Sequence, residues 1–93
     1  MPLEFTRRAS VDIEVAFAWY EAQRKGMGGH FIASLERVWM LLDAFPDAGT
    51  LKGWNVRRIL VPRFPYAVYY KVIDGRVVVH ACLDMRRDPK VVL

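Results

Sequence analysis

The stretch YAVYYKVIDGRVVVHACL, residues 66–83, decides the fold. Two runs rich in β-branched and aromatic side chains flank Asp74-Gly75. A two-residue Asp-Gly link between such runs is a strong short-range signal for a β-hairpin. The spacing predicts strands over 66–73 and 76–83. In the second arm Val77, Val79, Ala81 and Leu83 alternate with Arg76, Val78, His80 and Cys82. One face is therefore expected under helices and the other is mixed. In the first arm Tyr66 and Tyr70 share a face and Tyr69 points to the other. Upstream, 56–61 predicts a further strand, and Pro62 and Pro65 suit a bend better than a central ladder.

The period changes to helical before residue 46. Leu3 to Arg7 predicts a short first strand, and Ser10 stands as an N-cap with Asp12 and Glu14 in the following turn. Ile13, Ala16, Phe17 and Tyr20 obey the i, i+3, i+4, i+7 rule and predict one buried face. Arg24 and Lys25 suit the negative end of this helix, and Gly26 its C′ position. Gly28 and Gly29 read as the link to a second helix. There Phe31, Leu35, Val38, Leu42 and Phe45 form a 4, 3, 4, 3 seam that Pro46 stops. Asp47 to Trp54 reads as loop. The order is βααβββ: an α+β fold with an antiparallel sheet packed against a helical hairpin, in a single domain over 1–93.

Composition narrows the class. Of 93 residues 54% are hydrophobic, which excludes disorder and leaves some apolar surface for a partner in so small a chain. Residues 1–50 carry 5 basic and 7 acidic groups, or −2, whereas 51–93 carry 9 and 3, or +6. A basic half can meet nucleic acid, an acidic protein or a charged membrane surface, or simply be a solvated sheet face. Cys82 is the single cysteine, so neither an internal disulfide nor a zinc finger can form, and an inert buried thiol is expected. Neither a leader segment nor a membrane-spanning run is evident, and the expectation is a cytoplasmic protein with no membrane partner, no cofactor and no metal.

One ordered set of motifs runs through nearly the whole chain: Trp19-Tyr20-Glu21 followed by Gln23, Gly26 and Gly28; Phe31; Leu35-Glu36; Phe45-Pro46; Val56-Arg57-Arg58; Phe64-Pro65-Tyr66; Tyr69-Tyr70; and Arg86-Arg87-Asp88-Pro89. This set resembles the RelE/ParE toxin superfamily. The resemblance implies a βααβββ toxin of a type II toxin–antitoxin, plasmid-stabilisation module. It also implies a cognate antitoxin that binds the toxin directly in a hetero-oligomer. Two activities occur in that superfamily, ribosome-dependent mRNA cleavage and the poisoning of DNA gyrase.

Chemistry separates the two. RNA cleavage through the 2′-hydroxyl needs a base, an acid and cations around the phosphate. Cations are plentiful, and Arg57, Arg63 and Arg86 are the candidates for an endoribonuclease, with Asp84 as the carboxylate. Asp84-Met85 stands where many relatives have His followed by a variable residue, and beside Arg86 and Arg87 an ion pair is expected of it. His80 reads as a partly buried strand residue and His30 as a surface or turn residue. A gyrase poison needs only shape, charge and exposed contacts, for which Arg86, Arg87 and Lys90 are the expected target-binding residues. Trp19 and Trp39 fall off the seams and, with Arg57 and Arg58, are the expected antitoxin contacts. The expected function is gyrase poisoning. The alternatives are an mRNA endoribonuclease acting with the ribosome, or an inactive relative that serves only as a binding component.

Overall fold

The computed structural model describes residues 2–87. Strand β1 (Leu3–Phe5) leads into helix α1 (Arg7–Gln23) and helix α2 (Met27–Ala44), followed by β2 (Thr50–Leu51), β3 (Arg57–Leu60), β4 (Tyr66–Ile73) and β5 (Arg76–Asp84). The five strands form one sheet in the order β1-β5-β4-β3-β2. The Asp74-Gly75 hairpin is as the sequence predicts, with both residues at positive φ. Three of the four pairings are antiparallel, as expected. The fourth is parallel, with Leu3 opposite Val77 and Phe5 opposite Val79, so the sheet is mixed. The extra two-residue strand β2 lies in the stretch expected to be loop, where Thr50 and Leu51 pair with Arg58 and Arg57.

The first helix starts one turn earlier than Ser10 suggests. Thr6 is the N-cap: its hydroxyl accepts from the Ala9 N–H at 3.1 Å and donates to the His80 carbonyl at 3.2 Å. That second bond reaches 74 residues along the chain, which no local pattern contains. The link between helices also shifts. α1 ends at Gln23, Gly26 is the N-cap of α2 in the left-handed region (φ 91°), and Gly28 and Gly29 lie inside α2. Gly26 has no side chain with which to cap, so Glu21 of α1 does it, accepting from the N–H groups of Gly26 and Gly28 at 3.0 Å. Gly28 is where the helices touch: a Cβ there would lie 2.7 Å from the Phe17 ring and 3.0 Å from the Phe17 carbonyl.

The core lies between the hairpin and one face of the sheet. It takes Ala9, Ala16 and Tyr20 from α1, Phe31, Leu35, Val38 and Leu42 from α2, and Val68, Tyr70, Val77, Val79 and Cys82 from the sheet. Two predicted core positions differ. Phe17 is partly exposed where it packs over Gly28, and Phe45 is 64% exposed because α2 stops at Ala44 and the chain turns away at Pro46. The alternation in β5 also breaks once. Tyr69 lies opposite Ala81 but Tyr70 lies opposite Val79, so His80 is an extra residue, a β-bulge. The bulge shifts the phase by one. Val77 and Val79 face the helices, whereas Ala81 and Leu83 join Ala67 and Tyr69 on the opposite face, and Cys82 is turned into the main core. Burial pushes the Cys82 thiol up to about 12, an inert thiol as expected.

Candidate functional site

The sheet ends at Asp84, opposite Tyr66 and beside the C-terminal turn of α1, and the chain leaves it through a tight turn. Both Asp84 carboxylate oxygens are taken by Arg86. Oδ1 accepts from the Arg86 backbone N–H at 2.9 Å and from Nε at 3.1 Å, and Oδ2 accepts from Nη2 at 2.8 Å. The Met85 N–H donates to the Pro65 carbonyl at 2.7 Å. The same guanidinium lies over the Trp19 ring, 5.9 Å from its centroid. Trp19 in turn meets Tyr20 edge-on at 5.0 Å, and the Tyr20 ring is packed by Phe31, Phe64 and Tyr66.

These contacts decide what Asp84 can do. The hydrogen bonds from Arg86 hold its carboxyl below the usual carboxylate range, so at neutral pH it is ionised, fully engaged and a poor proton acceptor. It is the ion pair that the sequence predicts. Burial raises the phenols of Tyr20 and Tyr66, which are neutral at pH 7. The Tyr20 hydroxyl is buried without a hydrogen-bond partner among the described residues.

The other cations do not gather there. Arg57 and Asp84 belong to rows four residues apart on β4, about 13 Å along the sheet. Arg57 shares the helix-side face with Tyr70. Its Nη1 donates to the carbonyls of Asp47 at 3.3 Å and Gly49 at 2.9 Å, which makes it a fastener for the loop after α2. The fully buried Tyr70 completes that fastening: its hydroxyl accepts from the Gly49 N–H at 2.8 Å and donates to the Pro46 carbonyl at 2.7 Å. Arg58 is half-buried on the opposite face, paired in register with Tyr69. Arg63 is exposed at the turn before β4, at φ 69°. Arg87 is exposed, and Lys90 lies outside the described residues. His30 is exposed in the first turn of α2, as expected. His80 is half-buried and its Nε2 has no partner among the described residues; burial lowers its pKa and Lys71 lowers it further, so it is neutral at pH 7.

The apolar surplus forms a surface that sequence reasoning only partly placed. Trp39 is half-buried, edge-on to Phe5 at 5.1 Å, and Trp19 is half-exposed beneath Arg86. Trp54, read only as part of a loop, is 96% exposed, and Phe45, Leu51 and Leu60 are exposed as well. A signal for Trp54 was present: Gly53 and Asn55, both at positive φ, flank it in a turn that offers no core to enter. Leu41, Ala44, Phe45, Pro46 and Ala48, with Asp47 among them, line an open and mainly apolar groove at the end of α2, on the loop that Arg57 and Tyr70 fasten. Among the described residues, no group of His, Cys, Asp and Glu side chains is arranged to hold a metal ion. Nor is any helix long and apolar enough to cross a membrane.

A helical hairpin on one face of a mixed five-stranded sheet, with the chain held at the end of the last strand by Asp84 and Arg86 and apolar side chains uncovered at the sheet edge, defines an α+β fold. Solved structures share it, two of them as follows. The chain is similar to one titled as the chromosomal ParDE toxin–antitoxin system from P. aeruginosa, with TM-score 0.76, 16% identity, and 88% of this chain and 92% of that chain covered. It is also similar to one titled as the intact E. coli RelBE toxin–antitoxin complex, with TM-score 0.68, 21% identity, and 92% and 98% covered. No curated protein sequence matches. Residues 3–89 match the family described as the ParE toxin of the type II toxin–antitoxin system parDE, and the chain belongs to that family.

Proposed function

We propose that this toxin arrests growth by poisoning DNA gyrase and is neutralised by direct binding of a cognate antitoxin. The observation that carries this reading is the pairing of Asp84 with Arg86. Cleavage of RNA needs a proton acceptor among convergent cations. The carboxylate at the end of β5 is instead spent on its own arginine, and Arg57 is spent on a loop some distance along the sheet. A gyrase poison needs no such pair, and exposed Arg86 and Arg87, with Lys90 following in the sequence, supply charge for a DNA-bound enzyme. The antitoxin is assigned to the apolar groove at the end of α2 together with Phe45, Leu51, Trp54 and Leu60, surface that a partner segment would bury.

The test is an SOS reporter read after this chain is induced alone in a bacterial host. Growth arrest with strong reporter induction is expected, because trapped gyrase leaves broken DNA. Arrest with a silent reporter would refute gyrase poisoning in favour of mRNA cleavage. Soluble protein without arrest would leave a binding component.

A further inference from the structure

We propose that Asp84, Arg86 and Trp19 form a clamp that sets the direction in which the chain leaves β5, and that Arg86 is a positioning residue, not a contact to the target. This rests on the reading that the basic segment beyond β5 carries the toxic contact. Three observations support it.

The first is that the guanidinium is held from two sides. Nε and Nη2 are on the Asp84 carboxylate at 3.1 and 2.8 Å, and its central carbon lies over the Trp19 ring, 5.9 Å from the centroid. An arginine kept for a distant phosphate needs reach, and this one is held twice within its own chain. The second is burial. The Asp84 side chain is only 12% exposed, against 57% for Arg86. If Arg86 left to meet a partner, a nearly buried carboxylate would lose its counter-charge, which is costly. The third is that each residue of the exit is fixed by its backbone: Met85 N–H on the Pro65 carbonyl, Arg86 N–H on the Asp84 carboxylate, and Arg87 N–H towards the Asp84 carbonyl at 3.4 Å. Trp19 is braced from beneath by Tyr20, which packs in the aromatic core. The clamp thus ties the end of the sheet to the end of α1, and exposed Arg87 is the next basic residue beyond it.

The two roles predict opposite results for variants that leave Arg86 in place. Asp84→Asn and Trp19→Leu are made beside Arg86→Ala, Arg86→Lys and the double variant Asp84→Asn/Arg86→Ala. Growth arrest is the readout, and urea unfolding confirms that each variant folds. If the clamp positions the exit, Asp84→Asn and Trp19→Leu weaken toxicity as Arg86→Ala does, by about tenfold or more in the inducer or toxin needed, and the double variant is no worse than either single one. Trp19→Phe, which keeps an aromatic face, restores most of the effect, whereas Arg86→Lys, which cannot fork onto both oxygens, does not. If Arg86 itself touches the target, Asp84→Asn and Trp19→Leu keep full toxicity and only the Arg86 variants lose it; that result overturns the proposal.

A second measurement uses the purified chain and needs no target. Backbone ¹⁵N relaxation should give order parameters of about 0.85 at Arg86 and Arg87 in the parent and below about 0.6 in Asp84→Asn, with the β5 core unchanged. Equal values in both also overturn the clamp. Growth arrest is read without the SOS reporter, so arrest with a silent reporter defeats gyrase poisoning and still lets the clamp be judged. A parent chain that does not arrest growth overturns the toxic reading and with it Arg86's role in toxicity, while the relaxation measurement still decides whether the clamp fixes the exit.

Discussion

Removing one oxygen atom from each of two buried tyrosines should have opposite consequences. Tyr70 is fully buried, and its hydroxyl accepts from the Gly49 N–H at 2.8 Å and donates to the Pro46 carbonyl at 2.7 Å. Tyr20 is 8% exposed, and its hydroxyl has no partner among the described residues. A net hydrogen bond contributes about 0.5–1.5 kcal/mol, and a buried donor left without an acceptor costs about 1–3 kcal/mol. Gly49 is buried and pressed against the ring, since a Cβ there would lie 2.7 Å from the phenol oxygen, so its N–H has little room to find another acceptor. Tyr70→Phe should therefore cost about 2–3 kcal/mol. Tyr20→Phe removes a hydroxyl already desolvated and unpaired, and stability should stay within about 0.5 kcal/mol of the parent or rise. Urea unfolding followed by far-UV circular dichroism measures both. At a slope of about 1–1.5 kcal/mol/M for so small a chain, Tyr70→Phe lowers the midpoint by about 2 M while Tyr20→Phe leaves it in place, with unchanged slopes. Equal losses for the two variants would refute the assignment of the loop's rigidity to the Tyr70 hydroxyl.

Two further tests follow from single positions. Gly29→Ala, on open helix surface, should stabilise by up to about 1 kcal/mol. Gly28→Ala, whose Cβ meets the Phe17 ring and carbonyl, should lose about 1–2 kcal/mol net by forcing the helices apart, and equal effects in urea unfolding would refute the close approach. His80 has a lowered pKa, so the unfolded chain binds its proton more readily: stability should be level above about pH 6.5 and fall as pH drops below it, and His80→Gln should remove that slope down to about pH 5, where carboxylates take over.

What the sequence disclosed follows from how local each signal is. The Asp74-Gly75 hairpin and the apolar face of α2 from Phe31 to Leu42 are written in contiguous residues, and they are found as read. The Thr6 cap, the Glu21 carboxylate on Gly26 and Gly28, and the bulge at His80 depend on partners elsewhere, so periodicity misplaced the helix ends and the phase of β5 beyond Val79. The candidate site divides in the same way. The Asp84–Arg86 pair lies two residues apart and was legible. The part Arg57 plays in fastening the 46–49 loop was not, because its acceptors are backbone carbonyls that any sequence would supply.

The parallel pairing of β1 with β5 has a consequence during synthesis. Leu3, Glu4 and Phe5 have their ladder partners at Val77, Val78 and Val79, and Thr6 and Asp12 reach the backbone of His80 and Cys82. A nascent chain that has emerged only through α2 therefore displays an amphipathic hairpin with nothing to cover its apolar side, and its first strand has no neighbour. Contacts that span more than seventy residues form last, after nearly all the described chain has been made. Translation interrupted before residue 84 should accordingly release unfolded, protease-sensitive fragments, so the ribosome must read through β5 before the cell is exposed to the folded domain.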